Sequence, residues 1–397
     1  MIPLKISKEA AKHFLVSYHN LNGTQGFSGS EGVLQYFGRV KSIQYDPLNV
    51  VGRNPDLVLQ SKVEGYKPSM LHALLYEKKA LVDGFDKEMC IYLAEEFPFF
   101  SRVRAAAGER VKLTLTYRNQ LEALNILDEV RDHICRNGKT GTKDISIGKV
   151  ELSGWGHSKL SSAALDYLYN IGELCVVEKR GTQKYFDFTE RVLPSKILER
   201  NDFDSQEDFI DWYVKRRIRS VGFLWNRRGG AWQGHYLSDT ETRTKSLQRL
   251  CDKGEITLFH IEGMDFPFYM ATEDQSFLET RSPKKQVKIL APLDNVLWDR
   301  DMVAKIFDFE YSWEVYLPVH RRKYGYYVLP VLYGNDLVAR FEPVKASKGE
   351  PLTIKNWWWE PGVKKTEALM EKTDQALKAF AGYLSVPSQK TYRDFLK

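Results

Sequence analysis

Four cysteines in 397 residues is a small number, and they are widely scattered. Cys90, Cys135, Cys175 and Cys251 form no Cys-x-x-Cys pair, and no His/Cys pair has the spacing of zinc ligands. This argues against a disulfide framework and against a structural zinc. Free, buried thiols are expected, with no metal and no other cofactor. No apolar run reaches the roughly 18 residues that a membrane span needs. The opening "MIPLKISKEAAKHF" lacks the apolar core of a secretory signal, so a cytoplasmic location is expected. Neither sign of charge dominates: 58 Lys and Arg against 52 Asp and Glu leave +6, a weak pointer to nucleic acid. No dimerisation signal is present, and a monomer is expected.

What is there has the balance of a soluble globular chain, 43% hydrophobic and 28% charged, long enough for two to four domains. The first 115 residues read as mostly helical. "SKEAAKHFLVSYHNL" has Ser7 as N-cap before an apolar stripe, "GSEGVLQYFGRV" is a second helix, and "PSMLHALLYEKKALVDGF" is a third. From about residue 118 the order becomes helix ("NQLEALNILDEVRDHICRNG"), helix ("HSKLSSAALDYLYNIGEL") and a hairpin ("CVVEKRGTQKYFDFTERVLP"). That is the winged-helix pattern, a helix-turn-helix followed by a wing. Lys179, Arg180 and Lys184 sit at the wing tip, where phosphates would be met.

The order then recurs. "LYNIGELCVVEKRGTQKYFDF" and "LCDKGEITLFHIEGMDFPFYM" share Leu-x-x-x-Gly-Glu, an apolar strand, a turn with glycine and an aromatic strand. This reads as a structural repeat of about 85 residues. A linker, "TRSPKKQ", leads to strand-rich segments and a C-terminal helix, expected to be a small antiparallel β-barrel-like domain. The expected fold is α+β, with borders at 1–115, 116–200, 201–283 and 284–397. Two basic clusters interleaved with aromatics point to a phosphate-binding surface. "KRRIRSVGFLWNRRGG" contains Arg216 and Arg217, and "PVHRRKYGYYVLP" contains Arg321, Arg322 and Lys323.

Three stretches carry a family likeness: "IQYDPLNVVGRNPDLVLQSKVEGY", "LAPLDNVLWDRDMVAKIFDFEY" and "YLPVHRRKYGYYVLPVLYGNDLVARFEP". With them the chain resembles the bacterial winged-helix DNA glycosylases that unhook interstrand crosslinks, the AlkZ/YcaQ-like family. The resemblance implies tandem winged-helix domains, the first carrying the catalytic motif, and a C-terminal barrel. It also implies a catalytic Gln-apolar-Gln or Gln-apolar-Asp motif, here Gln44-Tyr45-Asp46 in its Gln-Asp form. That form implies a branch acting on N7-alkylated purines and crosslinks in duplex DNA. Relatives tend to carry aromatic-x-His-Glu after the third helix. Phe85-Asp86-Lys87-Glu88 stands here, so Glu88 matches as a supporting residue and Lys87 replaces the histidine. Lys87 reads as an exposed lysine at a helix end.

The residues themselves allow a chemical account. Pro47 disfavours helical geometry at Asp46, and in an extended segment Gln44 and Asp46 face one side, with Tyr45 opposite. Hydrolysis of an N-glycosidic bond passes through an oxocarbenium-like sugar. N7-alkylation already charges the leaving base, so one carboxylate beside C1′ and one amide orienting water would suffice. The plainer reading is that Asp46 and Asn49 shape a turn at Pro47. Two non-enzymatic alternatives remain open: a winged-helix regulator, and a damage-binding scaffold.

Overall fold

The computed structural model describes residues 4–24, 26–151, 157–200, 203–279, 285–344 and 349–396. The expected border at 200/201 and most of the linker 280–286 lie outside the described residues. The fold is mixed α+β, as expected. The chain divides into two compact units, Met1–Leu71 with Ile210–Lys397, and His72–Phe209. Four consecutive domains were expected, whereas the first of these units is discontinuous in sequence.

The reason lies in one short strand. Leu4–Ile6 pairs in parallel with Ile256–Ile261 (Leu4 opposite Phe259), adding to the antiparallel strands Pro267–Ala271 and Phe223–Trp225. The N-terminus thus completes the sheet of the third expected domain. Helix Lys8–Tyr18 follows, and Ser7 caps it as expected, its Oγ accepting from Ala10 N at 3.1 Å. The last strands, Val287–Ile289, Leu329–Tyr333, Asp336–Val344 and Thr353–Trp359, form an open antiparallel sheet in sequential order. The expected barrel does not close. Four strands are too few to curl round on themselves. Instead helix Glu367–Tyr383 buries Leu369, Leu377 and Phe380, with Phe380 edge-on to Phe341 of the sheet.

In the second unit the elements of 116–200 come in the expected order. Helix Leu127–Asn137 and helix Leu160–Asn170 precede the hairpin Leu174–Arg180/Gln183–Phe188, around a core of Val130, Ile134, Leu165, Leu168, Val176 and Phe186. Residues 81–93 differ from expectation. Leu81–Phe85 and Met89–Leu93 form a hairpin in place of the end of a helix. Short apolar runs do not declare their period, and tertiary pairing decided here. Lys87 therefore lies in the three-residue loop between these strands, and it is buried (7% exposed) instead of exposed.

The repeat holds down to single hydrogen bonds. Gly172 N donates to Tyr169 O and Glu173 N to Leu168 O; Gly254 N donates to Cys251 O and Glu255 N to Leu250 O. Thr189 N reaches Glu173 O, and Thr272 N reaches Glu255 O. Both glycines take positive φ (83° and 69°), which a β-carbon would disfavour, so glycine recurs where the helix must turn into the strand.

Candidate active site

Helix Gly29–Val40 ends at Lys41, whose backbone takes φ 65° and ψ −46°, unusual for a residue with a side chain. That kink aims the strand Ser42–Gln44. Arg216 stabilises it, donating to Lys41 O (2.9 Å) and to Ser42 Oγ (3.0 Å). Asn295 Nδ2 donates to Ser42 O (2.8 Å) and Ser220 O (2.9 Å). Asn54 Nδ2 donates to Gln44 O (2.7 Å), while its Oδ1 accepts from Leu293 N (3.0 Å). The backbone under the Gln-Tyr-Asp motif is thus held from three separate elements.

Beyond Gln44 the chain is irregular. Asp46 Oδ1 accepts from Leu48 N at 2.8 Å, and Asn49 Oδ1 accepts from Gly52 N at 3.0 Å. These are local side-chain turns, so the plainer reading of Asp46 is correct as far as it goes. A carboxylate has two oxygens, however. Oδ2 faces the hydroxyl of Tyr316 at 3.4 Å, and Asp46 is only half-buried. Turn formation and chemistry need not compete for this residue.

Tyr316 belongs to a loop, residues 313–327, that is anchored from beneath. The carboxylate of Glu314 (6% exposed) accepts the backbone N–H groups of Lys323 (3.0 Å), Tyr324 (2.9 Å) and Gly325 (3.2 Å). Glu342 accepts from Tyr326 N at 2.8 Å, and a β-carbon on Gly325 would come within 2.6 Å of its carboxyl carbon. Glycine at this position lets the backbone pass close to the Glu342 carboxylate. Tyr327 is buried and donates to Gly52 O (3.4 Å), tying the loop to the turn after Asp46. Although most of the Tyr316 ring is exposed, partial desolvation of its hydroxyl, and then the charge of Asp46 and the hydrogen bond to it, raise that hydroxyl above the usual tyrosine range. It stays a proton donor at any physiological pH.

The predicted residues meet different fates. Gln44, Tyr45 and Asp46 share one unit with the loop bearing Arg321, Arg322 and Lys323. Arg321 and Lys323 are exposed; Arg322 is half-buried, with Nε donating to Leu317 O (2.8 Å). Arg216 is 3% exposed and supports the strand as described. Arg217 is fully buried, donating to Ala231 O (2.5 Å) and Gln233 O (2.7 Å). Neither is a surface phosphate contact. Their side chains run inward from helix Gln206–Val221 and satisfy carbonyls, which a buried guanidinium must do.

Lys179 and Asp83 form a buried ion pair in the second unit, so Lys179 too is corrected from wing-tip contact to core cation. Arg180 stays exposed, pairing with Glu178 at 2.6 Å, and Lys184 is half-buried over the Tyr169 ring. Glu88 is exposed at the turn of the hairpin Leu81–Phe85/Met89–Leu93, in the second unit. Sequence reasoning missed Tyr316, Glu314, Asn54 and Asn295. Nothing in "WEVYLP" separates a site tyrosine from a core one. Among the described residues no cluster of His, Cys, Asp or Glu is arranged to hold a metal, and no helix is long and apolar enough to cross a membrane.

An amide and a carboxylate thus lie on a braced strand end, with Tyr316 of a clamped loop of basic and aromatic side chains against the carboxylate. The model of the family described as DNA glycosylase AlkZ-like matches residues 37–383, and the chain belongs to that family of DNA repair enzymes. It is a DNA glycosylase, and its substrate is DNA. Among solved structures, the Streptomyces sahachiroi DNA glycosylase AlkZ has the same overall fold, with a TM-score of 0.64 at 14% identity. The match covers 97% of this chain and 100% of that one.

Proposed function

We propose that the enzyme is a monofunctional glycosylase that hydrolyses the N-glycosidic bond of N7-alkylated purines in duplex DNA, interstrand crosslinks and their monoadducts included. It acts as a monomer, and its helix–helix–hairpin segments serve as winged-helix units. The carrying observation is the division of labour within Asp46: Oδ1 holds the turn, and Oδ2 looks onto the exposed loop.

In this reading the Asp46 carboxylate lies beneath C1′ as positive charge develops on the sugar, and it polarises the attacking water. Gln44 orients that water. The alkylated base leaves without acid assistance because it is already cationic. Arg321, Arg322 and Lys323, with Arg180 and Lys184, bind phosphates, an affinity that falls steeply with salt. A bulky or crosslinked base is not readily extruded, so the reaction proceeds at an open surface. The half-buried state of Asp46 supports this.

The test is release of 7-methylguanine from methylated duplex DNA by wild type and by Asp46→Asn, with DNA binding measured for both. The expected result is loss of release by roughly 10²–10⁴-fold with binding retained. Equal release by both proteins would remove Asp46 from the chemistry.

A further inference from the structure

Tyr316 is 77% exposed, although it sits beside the carboxylate that the reaction is proposed to use. Its neighbours Leu317 (37%), Val319 (76%) and Tyr326 (37%) are exposed as well. The segment is not loose. Glu314 clamps it through three backbone N–H groups, and Trp313 meets the Tyr316 ring at 5.5 Å with an interplanar angle of 82°. A pinned loop holds a large aromatic face out in solvent, next to an acid, with basic residues a few positions on.

We infer that Tyr316 is a specificity residue, its exposed ring forming the wall against which the lesion base lies and its hydroxyl positioning Asp46. This rests on the reaction proposed for Asp46. An N7-alkylated purine is a cation, and the face of an aromatic ring carries negative quadrupole density that attracts cations. A neutral purine gains only stacking from the same ring. The ring therefore separates damaged from undamaged bases by charge, at a place where the reaction needs that charge. The hydroxyl has a separate role. It donates to Asp46 Oδ2, restrains the carboxylate rotamer and, since its proton is held more tightly than usual, adds no second anion.

Two substitutions divide these roles: Tyr316→Phe keeps the ring, and Tyr316→Ala removes it. Binding is measured on two duplexes that differ at one nucleotide, 7-methylguanine or guanine. Both carry a 2′-fluoroarabino sugar, which slows bond cleavage by destabilising the oxocarbenium ion. Single-turnover release is measured on the ordinary methylated duplex, with Asp46→Asn alongside.

Tyr316→Ala is expected to lose roughly 2- to 30-fold of the preference for the cationic duplex, with guanine-duplex binding held. Tyr316→Phe is expected to keep the preference and slow release roughly 3- to 10-fold at saturating enzyme. Equal loss on both duplexes would make the ring a general DNA contact and overturn the inference. Wild-type preference in Tyr316→Ala, or wild-type release in Tyr316→Phe, would overturn the role given to the ring or the hydroxyl respectively. If Asp46→Asn releases the base like wild type, the underlying reaction fails. If Asp46→Asn is dead and both Tyr316 variants match wild type, only this inference fails.

Discussion

The two basic, aromatic-rich segments of the first unit look alike as text and have opposite fates. In helix Gln206–Val221, Arg216 and Arg217 point inward and are almost wholly removed from solvent. In loop 313–327, Arg321 and Lys323 remain in water. The helical arginines serve carbonyls left over by irregular backbone: Lys41 O for one, Ala231 O and Gln233 O for the other. Among the described residues the loop cations reach no such carbonyls, apart from Arg322 on Leu317 O. A run of Lys and Arg thus reports positive charge without reporting which side of the surface it lies on. The deciding factor is whether orphan acceptors lie within reach, because a guanidinium can leave water only where its N–H groups are hydrogen-bonded.

That contrast can be pushed hardest at Lys179, a hairpin residue expected at the surface that joined the buried set. Lys179→Met leaves Asp83 buried without its cation. A loss of about 3–5 kcal/mol in urea denaturation is expected, with DNA affinity of the folded protein unchanged. A drop in affinity at unchanged stability would return Lys179 to the DNA-binding set.

Burial of a neutral base gives the next effect. His19 is fully enclosed, with Nε2–H donating to Val221 O (2.8 Å) and Nδ1 accepting from the Tyr36 hydroxyl (3.1 Å). Burial lowers its pKa to about 4. The unfolded chain then binds the extra proton between about pH 6.5 and 4, and the folded one does not. Stability is full above pH 6.5 and declines as pH falls towards 4, by on the order of 3 kcal/mol. Melting curves of wild type and His19→Gln across that window should converge at low pH. Parallel curves would exclude His19 as the source.

Arg216→Ala should cost about 1–3 kcal/mol by stranding Lys41 O, and should slow base release because the strand under Gln44 loosens. Normal stability with weaker DNA binding would contradict the supporting role. Smallest is Arg321→Ala. It should leave stability alone, weaken binding to all sequences alike, and lower the salt dependence of binding by about one ion. Unchanged salt dependence would mean that exposure alone does not make a phosphate contact.

Much of the architecture was legible because it rests on local patterns. The N-cap at Ser7, the core stripe Leu160, Ala164, Leu165 and Leu168, and the twin Gly-Glu helix-to-strand turns each follow from neighbouring residues. The hairpin Leu81–Phe85/Met89–Leu93 was not legible, since its strands are buried and show no alternation. Nor was the pairing of Leu4–Ile6 with Ile256–Ile261, which joins segments some 250 positions apart. At the site, the Gln44–Asp46 motif was visible in the sequence, and so was its competing role as a turn. Nothing in the sequence indicated that Tyr316 would stand over one oxygen of Asp46.

Spacing within short windows set most of the helices and the repeated turns, and residues that travel together marked the family. The tertiary structure alone decided which cations face solvent, that the last sheet stays open under a helix, and which tyrosine meets Asp46. Those outcomes depend on acceptors and surfaces supplied by distant parts of the chain, and only folding brings them within hydrogen-bonding range.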